Sequence, residues 1–332
     1  MNAESAGVAA SQPIDPPRLR VLVTGATGFI GQRLVPYLAG RGYLVRAAAR
    51  QPDSVPAGPG IQPALLPDLD GQTDWAPLVQ DMDAVVHLAG LAHATTAIPE
   101  ERYMAANHDA VIALMAALAA SSSARRLVFM SSARAVSGPS CDFVLSSDRP
   151  SQATDAYGRS KFFAEMMLRM GHTGSYDYTI LRPVLVYGPG VKANMARLID
   201  LARLPLPLPL GGLTGRRSLL ALDNLCQAIE FVLSRPEAGG RIFFVADGPP
   251  LTVPEIIVAL RAGLDRRPGL VPLPWPLISR LARSTGFGPA LERLTGNLVV
   301  DTSALDAIGF RPRLTTHAAL AALASAQARV RP

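Results

Sequence analysis

Tyr157 and Lys161 stand four residues apart in the stretch YGRSK. On a helix that spacing puts both side chains on one face. A free tyrosine titrates near ~10, too high for acid–base work at neutral pH. A neighbouring ammonium favours the phenolate and lowers that value. Tyr157 can then exchange a proton with a substrate hydroxyl or carbonyl while a hydride moves to or from a nicotinamide. The spacing alone also fits an exposed Tyr–Lys pair, and position decides between the two. YGRSK follows five strand-like runs and comes shortly after MSSAR, Met130 to Arg134.

A second set of residues could hold such a cofactor. VTGATGFIGQRL, Val23 to Leu34, places Gly25, Gly28 and Gly31 three residues apart. Leu19 to Val23 suits a buried parallel strand. From Phe29 onward, Ile30, Leu34, Tyr37 and Leu38 recur at helical spacing. A strand, a glycine turn and a helix aim backbone N–H groups and a helix N-terminus at a phosphate. Gly25 permits the tight turn, Gly28 a close approach to a pyrophosphate, and Gly31 close packing of helix on strand. Pro36 removes one helical hydrogen bond, which predicts a local kink.

The elements that must position these residues are legible as alternating runs. Strands are expected at Tyr43 to Ala49, Ala64 to Leu66, Ala84 to Leu88, Arg126 to Met130, Thr179 to Leu185 and Ile242 to Ala246. Helices are expected at Glu100 to Ala120 and at Tyr157 to Met170, the latter closed by Gly171 at C′. This alternation predicts an α/β fold with a doubly wound, Rossmann-type parallel sheet. After Tyr187 the texture turns proline-rich (YGPG, LPLPLPLGG, RRPGLVPLPWPL), which predicts a smaller C-terminal substrate lobe. The expected division is a disordered tail over 1–17, a dinucleotide-binding domain over 18–186 with a strand returning near 215–248, and a mainly substrate-binding lobe over 187–332.

Composition narrows the classes. With 49% hydrophobic and 17% charged residues the chain can build a sizeable core. A formal charge of +6 would suit nucleic acid, yet no Lys/Arg run with interleaved aromatics occurs, so no nucleic-acid partner is expected. Cys141 and Cys226 lie far apart without metal or redox spacing, which points to a reducing compartment and a cytoplasmic location. The five histidines show no metal spacing, so no metal is expected. MNAESAGVAASQPIDPP, Met1 to Pro17, lacks a basic start and an apolar centre and reads as a loose tail rather than a signal peptide. No run of about 18 apolar residues occurs, so no spanning helix is expected.

In order along the chain come TGATGFIG, HLAG (His87 to Gly90), Asn107 in the long helix, the pair Ser131–Ser132, YGRSK, LRPVLVYGPG (Leu181 to Gly190), RRSLLALDNL (Arg216 to Leu225) and VVDTSALDAIGFRP (Val299 to Pro312). In these the chain resembles an extended short-chain dehydrogenase/reductase of the NAD-dependent epimerase/dehydratase family, from roughly Arg18 to Leu323. The resemblance implies that Gly25, Thr27, Gly28, Phe29, Ile30 and Gly31 hold the pyrophosphate turn and that Asp68 and Leu69 lie at the adenine. It implies that Leu88, Ala89 and Gly90 line the cofactor, with Asn107 and Pro183 completing its site. Tyr157 is the implied acid/base, and Lys161 binds the nicotinamide ribose and tunes Tyr157. A serine is implied at the substrate oxygen. Relatives often carry a tyrosine where SSARAVSG has Ser137, and counting back from it lands on Ala133. A one-residue loop insertion costs little, so Ser132 is expected to be the working serine, with Ser131 second.

Cofactor and substrate readings follow. NAD-selective sites place a carboxylate after the second strand. Here that position is Ala49, and Arg50 follows, which suits a 2′-phosphate. NADP(H) is therefore favoured over NAD(H). Arg216 and Arg217 begin a strand read as ending in Asp223. With Asn194 and nearby Lys192 they favour a nucleotide-diphosphate sugar as substrate. The plain alternative pairs either arginine with Asp223. A homodimer is admitted, as is peripheral membrane contact if the substrate is lipid-linked. The resemblance implies chemistry at C4 of the sugar, with 4-ketoreductase ahead of 4-epimerase. A reductase of a non-sugar carbonyl and a non-catalytic cofactor-sensing module are the remaining readings.

Overall fold

Short β-branched runs become strands with both faces covered, as a parallel sheet requires. The computed structural model describes residues 19–92, 98–171, 174–273, Leu277 and 296–330. The tail expected over 1–17 lies outside the described residues, as does most of the stretch after Leu273.

The first half of the chain forms β1 (Arg20–Thr24), α1 (Gly31–Ala39), β2 (Leu44–Ala49), β3 (Ile61–Leu65), α2 (Ala76–Val79), β4 (Ala84–His87), α3 (Glu100–Met104), α4 (Ala110–Ala120) and β5 (Arg126–Met130). Next come β6 (Val144–Leu145), α5 (Ala156–Met170), β7 (Asp177–Pro183), β8 (Leu185–Tyr187) and α6 (Ala193–Arg203). Then follow β9 (Arg216–Arg217), β10 (Leu219–Ala221), α7 (Leu222–Leu233), β11 (Arg241–Val245), β12 (Leu251–Thr252) and α8 (Val253–Ala262). The described chain closes with β13 (Val299–Val300), α9 (Ser303–Ala307) and α10 (Thr316–Val330).

Seven strands form one parallel sheet in the order β11-β7-β5-β4-β1-β2-β3. The chain leaves β1 toward β2 and β3, then returns to place β4 on the other side. This reversal opens a crevice beyond the carboxyl ends of β1 and β4, where doubly wound sheets take their ligands. On one face Leu34, Val35 and Leu38 of α1 meet Leu225 and Ile229 of α7. On the other, Leu114 and Leu118 of α4 meet Ala164 and Leu168 of α5. A separate core joins α6, α8 and α10 through Ile199, Ile257, Leu260 and Leu320.

Several expectations are corrected. The third strand begins at Ile61 and accommodates Pro63 because β3 is an edge strand. The helix predicted over Glu100 to Ala120 contains a π turn, Ala105–Asp109, between α3 and α4. That stretch is also long and apolar enough to cross a membrane by composition, although here much of it is buried in the fold. The strand predicted from Thr179 to Leu185 divides at Val184: β7 stays in the large sheet, whereas β8 pairs with β10. Gly171 ends α5 at φ −93°, its N–H on the Met167 carbonyl, outside the left-handed region expected of a C′ glycine. Helix α1 runs on through Pro36 to Ala39. Asp223 lies in the first turn of α7 and pairs with Arg33 at 2.6 Å, so it partners neither Arg216 nor Arg217.

Candidate active site

The glycine turn after β1 is built as its spacing requires. Gly25 has φ +71°, and a Cβ there would stand 3.0 Å from the Ala89 nitrogen. A Cβ on Gly31 would run into the Gly25 carbonyl. The Gly28 N–H donates to that carbonyl at 3.0 Å, which closes the turn. Gly28 and Phe29 are exposed at its mouth, and Thr27 and Ile30 are half-buried. Thr24 Oγ1 accepts the Ala89 N–H at 3.1 Å and contacts His87 Nδ1 at 3.1 Å. This ties β1 to the segment Leu88, Ala89 and Gly90 that follows β4.

Asn107, turned inward by the π turn, is fully buried. Its side chain accepts the Leu91 N–H at 2.8 Å and donates to the Leu91 carbonyl at 2.9 Å and to Ser160 Oγ at 3.0 Å. It therefore fixes the backbone beyond Gly90 against α5, one residue from Lys161.

Asp155 caps α5 by accepting the Gly158 N–H at 2.7 Å. That cap sets Tyr157 in the first turn and Lys161 one turn later. Ser132, just past β5, has its hydroxyl beside the Tyr157 phenol, where it favours the phenolate, and it accepts the Arg134 N–H at 3.1 Å. Ser131 faces away from it. The Ser131 hydroxyl donates to Glu165, and Glu165 holds Arg182 at 2.5 Å in a buried ion pair. Ser137 donates within its own loop, to the Ala133 and Gly138 carbonyls at 3.3 and 3.0 Å. Of the candidate serines, Ser132 is the one brought to Tyr157.

The electrostatics differ from expectation. Burial raises the Tyr157 phenol above its ordinary value, against the opposing pull of the Ser132 hydroxyl and the Arg134 charge. The Lys161 ammonium donates to the Met130 carbonyl at 2.9 Å and lies 4.9 Å over the Phe129 ring. Burial lowers Lys161 to about 8, with Glu165 resisting. Tyr103 meets the Tyr157 ring edge-on at 6.2 Å. His87 is buried between Trp75 and Phe129, and burial lowers it to about 3, so it stays neutral.

Two arginines give the site positive charge. The Arg134 guanidinium is paired with Asp155. Arg217 is half-buried, and burial lowers it below its ordinary value with the Arg134 charge adding to the effect. Arg217 also donates to the carbonyls of Gly296 at 2.8 Å and Pro139 at 3.0 Å. Arg216 turns elsewhere, to the Pro250 carbonyl at 3.0 Å and Glu255 at 3.6 Å. Asn194 is half-buried at the start of α6, and Lys192 just before it is exposed.

The remaining sequence candidates lie on other segments of the sheet and its loops. Arg50 is exposed immediately after β2. Arg46 is committed to the carbonyls of Pro77, Leu78 and Gln80 at 3.2, 3.0 and 2.9 Å. Asp68 and Leu69 follow β3, Asp68 exposed and Leu69 packed on the core. Pro183 ends β7 opposite Val245. Among the described residues, no three His, Cys, Asp or Glu side chains gather as a metal would require. Arg134, Asp155 and Thr24 contact the candidate residues and were not singled out in the sequence. Only Asp155 carried a signal, an acidic residue directly before a helix.

Comparison with known proteins places this geometry. The family model for the NAD dependent epimerase/dehydratase family matches residues 21–246. A UDP-glucose 4-epimerase of Vibrio cholerae is 32% identical over 306 residues, covering 89% of this chain and 91% of that protein. A dihydroflavonol 4-reductase of Zea mays is 31% identical over 278 residues, covering 75% and 74%. The solved structure of MoeE5 in complex with UDP-glucose and NAD superposes with a TM-score of 0.70 at 25% identity, covering 94% of this chain and 99% of that one.

Proposed function

Because this chain belongs to the NAD dependent epimerase/dehydratase family, we propose that it oxidises and re-reduces C4 of a nucleotide-diphosphate hexose, as a 4-epimerase. It is an enzyme of the short-chain dehydrogenase/reductase kind. The observation that carries the proposal is Tyr157 set in the first turn of α5 with the Ser132 hydroxyl and the Arg134 charge beside it. Tyr157 is a proton-transfer group, and Arg217 supplies a cation of the kind that suits a diphosphate. The Vibrio cholerae relative, matched over most of both chains, supports C4 of a UDP-hexose and moves the epimerase ahead of the ketoreductase.

The residues present fit a nicotinamide dinucleotide. The turn from Gly25 to Gly31 leaves a cradle that side chains would fill, with Gly28 exposed at its mouth. When bound, the nicotinamide supplies the acceptor and donor of hydride. Ser132 orients the C4 oxygen. Tyr157 takes the hydroxyl proton as C4 becomes a carbonyl and returns it on re-reduction. Arg134 offsets the phenolate charge, and Arg217 meets the diphosphate. The ketoreductase remains the second reading, supported by the exposed Arg50 directly after β2, a side chain that suits a 2′-phosphate.

The substrate assignment is tested with Arg217→Ala. Loss of one charge-assisted contact is worth ~1.5–3 kcal/mol, so KM for a UDP-hexose should rise about tenfold or more. Arg216→Ala should leave KM within about twofold. The reverse result would move the diphosphate to Arg216, and no effect of either would argue for a non-nucleotide substrate.

A further inference from the structure

The C-terminal lobe carries a feature that chemistry at Tyr157 does not use. LARLPLPLPL, Leu201 to Leu210, leaves α6 and lies alongside the segment that follows α8. Leu208 donates its N–H to the Gly269 carbonyl at 2.8 Å and accepts the Val271 N–H at 2.9 Å. The Gly211 N–H reaches the Val271 carbonyl at 3.1 Å. Arg261 fastens both segments from within, at 3% exposure. It donates to the carbonyls of Leu204 and Leu206 at 3.1 and 2.8 Å, and to those of Pro268 and Gly269 at 2.8 and 3.1 Å. Pro205, Pro207 and Pro268 restrict the backbone further. The tip is therefore shaped before it meets a partner, which lowers the ordering cost of docking.

Its outward face is apolar. Leu204, Pro205, Leu206 and Pro207 are exposed in a row, with Leu206 at 64%, and Val271 and Pro272 are exposed beside them. A cavity of about 160 Å³ lies between this row and Arg261, Arg266, Arg267 and Gly269. Arg266 and Arg267 are exposed, and neither side chain pairs with a carboxylate among the described residues. The nearby acids are the exposed Asp265 and Asp200, and Asp200 is paired with Arg203 at 3.3 Å. An exposed apolar patch with a polar rim marks an interaction site, and arginines free to take up phosphate oxygens indicate its chemistry.

We propose that this tip docks on the surface of an anionic phospholipid bilayer. Leu204 and Leu206 enter the acyl boundary, and Arg266 and Arg267 meet lipid phosphates. Binding at such a surface scales with the apolar area inserted plus the attraction to anionic lipid, so the two parts add. The electrostatic part decays over a Debye length and is weakened by salt. The proposal does not depend on the sugar reading, since the tip lies outside the residues assigned to chemistry.

Flotation of the full chain with vesicles tests it. Binding to phosphatidylcholine vesicles containing phosphatidylglycerol should exceed binding to phosphatidylcholine alone by about tenfold or more, and high salt should abolish the difference. Arg266→Gln with Arg267→Gln, and separately Leu204→Ser with Leu206→Ser, should each reduce binding about fivefold or more. Melting temperature and turnover of a soluble substrate should stay unchanged. Should the leucine variant fold poorly, the arginine variant alone decides. No vesicle binding, equal binding to both vesicle types, or arginine variants that bind as wild type would overturn the proposal.

Discussion

Ser131 and Ser132 are chain neighbours with opposite surroundings. Ser132 has its hydroxyl beside the Tyr157 phenol, whereas Ser131 is one arm of the buried Glu165–Arg182 pair. Their substitutions should therefore separate. Ser132→Ala should lower kcat by ~10²-fold or more, the usual cost of losing a donor at a developing oxyanion, with little change in unfolding free energy. Ser131→Ala should hold kcat within a few-fold and cost ~1–3 kcal/mol of stability, because a buried carboxylate loses a donor. Steady-state kinetics and urea unfolding of both variants check this. A larger kcat loss at Ser131 would reassign the role.

At the scale of elements, the N-terminus of α5 joins two tasks. Asp155 caps the helix that carries Tyr157 and Lys161, and it also pairs with Arg134. Asp155→Ala should cost ~1 kcal/mol or more through the lost cap. Asp155→Asn keeps the cap, since asparagine caps as well as aspartate, but leaves the Arg134 charge less neutralised. More cationic character beside Tyr157 favours its phenolate. The pH–rate limb governed by Tyr157 should therefore move to lower pH in Asp155→Asn, with most of the stability retained. An unmoved limb would show that Arg134 does not tune Tyr157.

The same elements show what the sequence made legible. The glycine turn, the Tyr157–Lys161 spacing and the strand runs are local patterns, readable from neighbours along the chain. The π turn that buries Asn107 has no local signature, because it depends on the fit against Leu91 and Ser160. Arg33 and Asp223 meet across 190 residues, a pairing no local pattern announces. The hold of the Met130 carbonyl on Lys161 and the nearness of Arg134 to Tyr157 arise from packing that the YGRSK spacing does not carry.

Across the whole molecule, the sheet reversal between β1 and β4 sets the cofactor crevice, and Arg50 stands at its edge after β2. With Ala49 in place of a carboxylate, a 2′-phosphate would meet a cation and no opposing acid. Titrations separate the two readings: NADPH bound about tenfold more tightly than NADH, or ~1.4 kcal/mol, with Arg50→Ala removing the preference, would favour the ketoreductase. An unchanged ratio in that variant would make Arg50 a surface residue and leave the epimerase reading without its main competitor.

The central claim is that Ser132 and Tyr157 serve hydride transfer at C4 of a nucleotide sugar. It is tested most directly by incubating the protein with UDP-glucose in D2O and following the sugar by proton NMR. The account predicts that the C4 epimer appears with protium retained at C4, because the hydrogen leaves and returns as hydride without meeting solvent. It also predicts that Tyr157→Phe slows this by ~10²-fold or more. Deuterium at C4, no epimer from any UDP-hexose, or an epimer formed by Tyr157→Phe at the wild-type rate would contradict it.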